Sequence, residues 1–233
     1  MNLEIHIQLL LMAYFRTNYS QAYVFPVIAN KHNDGRKNYR GRRRIMVDRH
    51  WLNRDVPEYL QTPNDNSCGP RVVLMVADSF EKERGRKLYA YEWSRVIEIT
   101  MRNDLMRDSG TSKRDLVRAL KAIGLQARIL KGGSKDQRKC LAIGDALARN
   151  HPVIVSCRIP YRGKHYRHYA VVVGMDEDSI YLRDPFLRPG RNRDGFYRIN
   201  RKEFLKKRWT VRDTVWGMNR WGVVVSFETN TNR

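Results

Sequence analysis

Two short apolar segments in the second half of the chain place the strongest constraint on its fold. Residues 168–174 read His-Tyr-Ala-Val-Val-Val-Gly and residues 179–183 read Ser-Ile-Tyr-Leu-Arg, with the acidic stretch 175–178 between them. β-Branched and aromatic residues on either side of a short polar turn are typical of a β-hairpin. The sequence therefore predicts two strands that are antiparallel neighbours in a sheet.

The first half of the chain is predicted to be largely helical. Pro70 suits the first turn of a helix, and Val72, Val76 and Phe80 recur behind it at helical spacing. Ser112 and Asp115 form a capping pair at the start of another predicted helix. Further helices are predicted over residues 91–106, 112–123, 141–149 and 201–208, and extended segments over residues 56–61, 125–130, 152–158, 195–199 and 221–227.

The charge of the chain is extreme, because 45 Lys and Arg against 24 Asp and Glu give a net charge of +21. Non-specific binding of a polyanion such as nucleic acid is therefore expected, and a solvated basic surface without a ligand is the alternative. Residues 1–50 are predicted to form an N-terminal extension, and residues 51–233 one catalytic domain. The positive charge is concentrated in residues 183–212 and in a basic arm within the extension, at Lys31, Arg36, Lys37, Arg40, Arg42, Arg43 and Arg44.

The three cysteines argue against a secreted, disulfide-linked scaffold. Cys68, Cys140 and Cys157 form no C-x-x-C pair, and an odd number cannot all be paired within one chain. We therefore expect a reducing compartment, the cytoplasm, and no metal site or other cofactor, since the Cys and His residues lack zinc-ligand spacing. The apolar run of residues 9–15 is too short to span a bilayer, so no transmembrane segment is predicted.

Cys68 is the candidate nucleophile. It lies at the predicted start of a helix, where the helix dipole favours a thiolate, and Gly69 and Pro70 leave the sulfur accessible. A cysteine in this position is more often a packed thiol, so the assignment depends on finding its partners. Cys140 and Cys157 are predicted to be such core thiols.

The hairpin carries the two partners. His168 opens its first predicted strand and Asp184 follows its second, so both side chains emerge at the same edge of the sheet. A carboxylate beside an imidazole fixes the tautomer and orientation of the ring, as in a catalytic triad. His165 is the alternative base, and His168 is preferred because the apolar strand begins there. We predict that His168 is the general base and Asp184 its orienting carboxylate.

Gln61 completes the predicted set. A side-chain amide a few residues before the nucleophile can donate an N–H to the oxyanion of a tetrahedral intermediate, together with the backbone N–H of Cys68.

Four segments of the chain resemble a known family. Residues 59–70 (Tyr-Leu-Gln-Thr-Pro-Asn-Asp-Asn-Ser-Cys-Gly-Pro), 110–120 (Gly-Thr-Ser-Lys-Arg-Asp-Leu-Val-Arg-Ala-Leu), 168–174 and 180–185 (Ile-Tyr-Leu-Arg-Asp-Pro) are similar to those of papain-fold cysteine peptidases of the bacteriocin-processing, double-glycine-leader type and their stand-alone relatives. The similarity covers residues 55–227. It implies an α+β fold of helices packed against an antiparallel sheet, and the same roles for Cys68, His168, Asp184 and Gln61.

Two alternatives to a peptidase remain open. The same thioester chemistry serves a deamidase or an acyl transferase, which differ from a peptidase in the nucleophile that resolves the acyl-enzyme. A basic nucleic-acid-binding protein that keeps the peptidase fold as a scaffold is the second alternative, since fold does not dictate function.

Overall fold

The computed structural model describes residues 49–61, 66–101, 110–130, 136–161, 164–186, 196–209 and 221–227. Its helices are α1 (Cys68–Ser79), α2 (Glu81–Arg84), α3 (Ala90–Met101), α4 (Lys113–Ala122), α5 (Asp136–Ala148) and α6 (Arg201–Glu203), which continues as a π-helical turn (Phe204–Arg208). Its strands are β1 (His50–Trp51), β2 (Gln126–Leu130), β3 (Val153–Tyr161), β4 (Lys164–Met175), β5 (Ser179–Arg183), β6 (Tyr197–Asn200) and β7 (Gly222–Ser226). The predicted basic arm lies outside the described residues, as do parts of the basic stretch 183–212.

The described strands form one antiparallel sheet in the order β2-β7-β3-β4-β5-β6, and β1 pairs with β4. The predicted hairpin is present, because β4 and β5 pair with Val171 opposite Arg183 and Met175 opposite Ile180. Helices cover the sheet, so the predicted α+β class is confirmed.

β4 begins earlier than the sequence indicates, so His168 lies inside a strand and not at its start. The ladder between β3 and β4 runs without interruption from Val153 opposite Val172 to Tyr161 opposite Lys164. In the outer part of this ladder β4 carries mainly polar residues, among them Lys164, His165 and Arg167. Backbone hydrogen bonds extend a ladder regardless of side-chain polarity, which is why an apolar pattern misses this part.

Two apolar cores lie on opposite faces of the sheet, because successive residues of a strand point to opposite sides. On one face, Val171 and Val173 of β4 pack in the core that α1, α3 and α4 cover. On the other, Ala170 and Val172 pack in the core that α5 and the π-helical turn cover.

Helix α1 is deeply buried. Its apolar run from Val72 to Ala77 is at most 2% exposed, so neighbours surround it on all sides. The start of α4 follows the sequence prediction, since the Ser112 hydroxyl accepts a hydrogen bond from the backbone N–H of Asp115. Gly124, with a φ of 81°, follows the end of α4 in the left-handed conformation that glycine favours.

Candidate active site

Cys68 is the first residue of α1, and its side chain is half-buried. Ser67 stands in the N-cap position, yet its hydroxyl does not cap the helix and instead accepts a hydrogen bond from Arg71 Nε at 2.6 Å. The N–H groups of the first turn have no partner within a helix. They are therefore placed to stabilise negative charge on or near the Cys68 sulfur.

His168 and Asp184 form a buried pair. The Nε2 atom of the ring lies 2.5 Å from Asp184 Oδ1, and the two residues are 3% and 6% exposed. The same carboxylate oxygen accepts a hydrogen bond from the backbone N–H of Phe186 at 2.9 Å. The register of β4 and β5 would place Ala170 opposite Asp184, so the carboxylate reaches His168 diagonally across the hairpin.

The protonation of His168 follows from its surroundings. Burial disfavours the charged ring, but the charge and hydrogen bond of Asp184, and then the hydrogen bond and charge of Cys68, raise the pKa of His168 to about 9. The imidazole is therefore protonated at neutral pH. Because Asp184 occupies Nε2, the other ring nitrogen, Nδ1, is the one that can exchange a proton with the Cys68 sulfur.

Gln61 lies beside the residues that follow Asp184. Its backbone N–H donates to the carbonyl of Pro185 at 2.7 Å, and it forms an isolated β-bridge with Phe186. The Phe186 ring in turn meets the His168 ring edge-on, with 6.2 Å between the centroids. The fold thus brings Gln61 to the same corner as the His168–Asp184 pair, while residues 62–65 lie outside the described part of the chain.

A second hydrogen bond fixes the segment before Gln61. The Tyr59 hydroxyl donates to Asp78 Oδ2 near the far end of α1. The Tyr59 ring also packs edge-on against Trp93 of α3, with a centroid distance of 5.4 Å. The segment that carries Gln61 is thereby attached to the helix that carries Cys68.

The other two cysteines lie in the core. Cys140 and Cys157 are at most 1% exposed, and all three cysteines are free thiols. Burial raises the pKa of the Cys140 thiol, although the charge of Arg201 opposes the shift. Cys157 lies on β3 directly opposite His168, and His165 lies opposite Pro160 in the same ladder.

One residue at the site has no role in the sequence prediction, although it belongs to the segment 110–120. Thr111 is 8% exposed, and its side chain lies against the Cα of Gly69, next to Cys68. Its backbone carbonyl accepts a hydrogen bond from the hydroxyl of Tyr169, next to His168. The sequence identifies the segment that contains Thr111, but it does not show which residues the threonine contacts.

Comparison with known proteins supports the fold. Residues 53–215 match the model of the Peptidase_C39 like family. A putative C39-like peptidase from Bacillus anthracis superimposes with a TM-score of 0.50 at 16% identity, over 77% of this chain and 99% of that chain. The cysteine protease xylellain from Xylella fastidiosa superimposes with a TM-score of 0.52 at 10% identity, over 79% of this chain and 87% of that chain. The predicted papain-like fold is confirmed.

Another similar structure is the peptidase domain of Streptococcus ComA, a bifunctional ABC transporter involved in quorum sensing. It has a TM-score of 0.46 at 19% identity, over 73% of this chain and 98% of that chain. No curated protein matches the chain. Among the described residues, no helix has the length and apolar character needed to cross a membrane. In the same part of the chain, no three His, Cys, Asp or Glu side chains cluster as metal ligands.

Proposed function

This chain belongs to the Peptidase_C39 like family of papain-like cysteine peptidases, and we propose that it cleaves a peptide or isopeptide bond through a thioester on Cys68. The observation that carries the proposal is the buried His168–Asp184 pair beside the Cys68 side chain, which helps Asp184 to raise the pKa of His168 to about 9. A helix N-terminus and an imidazolium both favour the thiolate, which is the nucleophilic form of cysteine.

The reaction proceeds in two halves. The Cys68 thiolate attacks the substrate carbonyl, the C–N bond breaks, and the imidazolium of His168 gives its proton to the leaving amine. In the second half, His168 takes a proton from water, the hydroxide attacks the thioester carbon, and the C–S bond breaks to return the thiolate. Asp184 holds the ring in the orientation that both proton transfers require.

The oxyanion of each tetrahedral intermediate needs hydrogen-bond donors. The side-chain amide of Gln61 and the backbone N–H of Cys68 are the donors in this proposal, because Gln61 lies at the His168–Asp184 corner and Cys68 opens the helix. An amine in place of water would make the enzyme an acyl transferase, and a side-chain amide substrate would make it a deamidase.

The test is selective alkylation of the folded protein. A limiting amount of iodoacetamide at about pH 6, followed by peptide mapping, should modify Cys68 much faster than the buried Cys140 and Cys157. His168→Ala should suppress that labelling, because the imidazolium partner of the thiolate is lost. Gln61→Ala is the matched control: it should leave labelling nearly unchanged and slow turnover by roughly 10²- to 10³-fold, since it acts on the oxyanion.

Two results would overturn the proposal. Equal labelling of the three cysteines would show that Cys68 is an ordinary thiol. An unchanged rate of Cys68 labelling in His168→Ala would show that His168 does not activate it. In either case the fold serves as a scaffold, and the basic surface becomes the main functional feature. Because the mechanism needs a reduced Cys68, a reducing compartment belongs to the same proposal.

We also propose that the basic surface binds polyanions without sequence specificity. Residues 183–212 carry eleven Lys and Arg against the three acids Asp184, Asp194 and Glu203. In the described part of this stretch, exposed cations lie at Arg198, Lys202, Lys206 and Lys207.

Duplex DNA binding should weaken with salt, with a log–log slope near −0.9 per phosphate neutralised. Lys206→Glu with Lys207→Glu should lower the affinity and flatten this slope. Lys121→Glu, an exposed cation on α4, is the control at a distant position in the sequence. Binding that does not depend on salt would contradict the proposal.

A further inference from the structure

The residues that follow the nucleophile and the base meet at a third residue. Cys68 is followed by Gly69 on α1, and His168 is followed by Tyr169 on β4. Gly69 and Tyr169 both contact Thr111, which lies just before α4. Thr111 therefore links α1 to β4 through the residues that directly follow Cys68 and His168.

The contact with Gly69 is tight. A Cβ atom on Gly69 would overlap the Oγ1 and Cβ atoms of Thr111 and would lie 2.8 Å from its Cγ2. Real Cβ atoms do not approach other atoms so closely, because protein interiors are packed to the density of organic crystals. Glycine at position 69 thus lets the Thr111 side chain rest directly on the backbone of α1, one residue from the reactive thiol.

The contact with Tyr169 is a hydrogen bond. The Tyr169 hydroxyl donates to the backbone carbonyl of Thr111 at 2.9 Å. The Tyr169 ring is itself held, since it packs edge-on against the buried Trp221 with 5.6 Å between the centroids. The hydrogen bond therefore ties Thr111 to β4 through a ring that is itself held in place.

Thr111 cannot shift easily by itself. Ser112, the next residue, caps α4 by accepting a hydrogen bond from the backbone N–H of Asp115. Leu116 and Leu120 anchor α4 in the same apolar core as α1. The threonine is thus a fixed spacer whose shape sets how closely the start of α1 approaches β4.

We propose that Thr111 is a positioning residue that sets the distance between the Cys68 thiol and the His168 ring. The inference rests on the proposed function, because it assigns Thr111 an effect on that thiol–imidazole pair. Its action is steric: within the described residues the Thr111 hydroxyl makes no hydrogen bond. The β-branched shape of the side chain is what the site uses, and valine has the same shape without the hydroxyl.

Single substitutions separate shape from hydrogen bonding. Thr111→Ala removes the branch, allows the start of α1 to shift, and should lower kcat/KM by about 10- to 100-fold, since misplacements near 1 Å have effects of this size. The pH at which alkylation of Cys68 is half-maximal should also rise, because the imidazolium no longer contacts the sulfur well. Thr111→Val should restore most of both losses, and Tyr169→Phe should produce a smaller loss than Thr111→Ala.

The matched control is Val153→Ala, which also deletes two buried heavy atoms. Val153 is fully buried in the other core and lies opposite Val172, four residues along β4 from His168. Four residues of strand span about 13 Å. This variant should lower the melting temperature at least as much as Thr111→Ala does, yet leave the pH profile of Cys68 alkylation unchanged.

A complementary exchange tests the contact itself. Gly69→Ala should abolish turnover and alkylation at pH 6, because the new Cβ overlaps Thr111. Adding Thr111→Gly should recover part of both, whereas adding Thr111→Ala should recover less, since the Cβ atom of residue 111 still overlaps the new methyl group.

The outcomes distinguish the two proposals. If the unmodified protein fails to alkylate Cys68 selectively, the proposed function fails and the spacer has nothing to position. If Cys68 labels selectively but Thr111→Ala matches Val153→Ala in its pH profile, the positioning role is overturned. Loss of activity in Thr111→Val equal to that in Thr111→Ala would also overturn it, because the hydroxyl would then be the important group.

Discussion

Each end of α1 carries a buried cation paired with a carboxylate, but the two pairs differ in which force prevails. At the start, His168 lies 2.5 Å from Asp184, and the side chains are 2% and 5% exposed. At the far end, Arg54 lies 2.8 Å from Glu83, and the side chains are 8% and 36% exposed. Burial opposes the charged form of both cations. It is outweighed at His168, whose pKa rises to about 9, whereas the pKa of Arg54 is lowered despite the charge of Glu83.

The difference lies in the carboxylates. Water screens the charge of the exposed Glu83, whereas Asp184 is shielded from water and acts at nearly full strength. A guanidinium stays charged at neutral pH because its ordinary pKa is so high, but an imidazole has an ordinary pKa of 6.5, so a shift of its pKa decides whether it is charged. The same helix thus has a partly exposed structural ion pair at one end and, at the other, a buried imidazole whose pKa is raised.

Of the substitutions in the two ion pairs, removing the charge of Asp184 should have the largest effect. Asp184→Asn keeps the shape of the side chain but loses the charge that raises the pKa of His168, so burial prevails and that pKa falls below about 9. The basic limb of the pH–rate profile, which reports loss of the imidazolium, should move to lower pH. Turnover at neutral pH should fall, but by less than the roughly 10⁴-fold seen when the orienting Asp of a serine triad is replaced, because an amide oxygen can still accept from the ring and papain-like triads use Asn in this role.

The same pair predicts how stability depends on pH. The folded-state pKa of His168 lies above its unfolded value, so the pair contributes stability that is fully present below about pH 6.5 and is lost as the pH rises through about 9. Urea unfolding should show this decline in the unmodified protein and a smaller one in Asp184→Asn. Equal declines in the two proteins would mean that Asp184 does not hold the imidazolium.

Local sequence patterns are enough to predict the helix that carries Cys68 and the second strand of the hairpin. The helix from Cys68 and the strand from Ser179 to Arg183 begin where the sequence predicts, since Pro70 suits a first helical turn and the acidic residues suit a hairpin turn. The order of Cys68, His168 and Asp184 along the chain identified three side chains that the fold brings together. Their catalytic roles remain predictions until the alkylation experiment is done.

Other features could not be read from local patterns. Backbone pairing with β3 stabilises the outer part of β4 and leaves no apolar signal, and so the sequence pattern puts His168 at the start of its strand. Thr111 acts through a contact with Gly69, 42 residues earlier in the chain, and such long-range contacts appear only in the folded structure. The pair formed by Arg54 and Glu83 was not predicted for the same reason.

A substitution at the far end of α1 should have the smallest effect on the reactivity of Cys68, but a measurable effect on stability. Arg54 donates to the carbonyls of Asn150 and Ser79 at 3.0 and 3.1 Å, and its guanidinium lies over the Phe80 ring at 3.9 Å. Arg54→Met keeps an unbranched side chain on Phe80 but leaves both carbonyls without this donor. The free energy of unfolding should fall by about 1.5–3 kcal/mol, the usual contribution of hydrogen bonds to a charged group.

The chemistry at the start of the helix should not respond to Arg54→Met. A 12-residue helix spans about 18 Å, so Cys68 should keep its alkylation rate and pH profile as long as the protein is folded. Arg95→Met, an exposed residue on α3, should change the unfolding free energy by less than about 0.5 kcal/mol. A shifted alkylation profile in Arg54→Met would show that the two ends of α1 are coupled, and the contrast between a structural and a catalytic end would then be wrong.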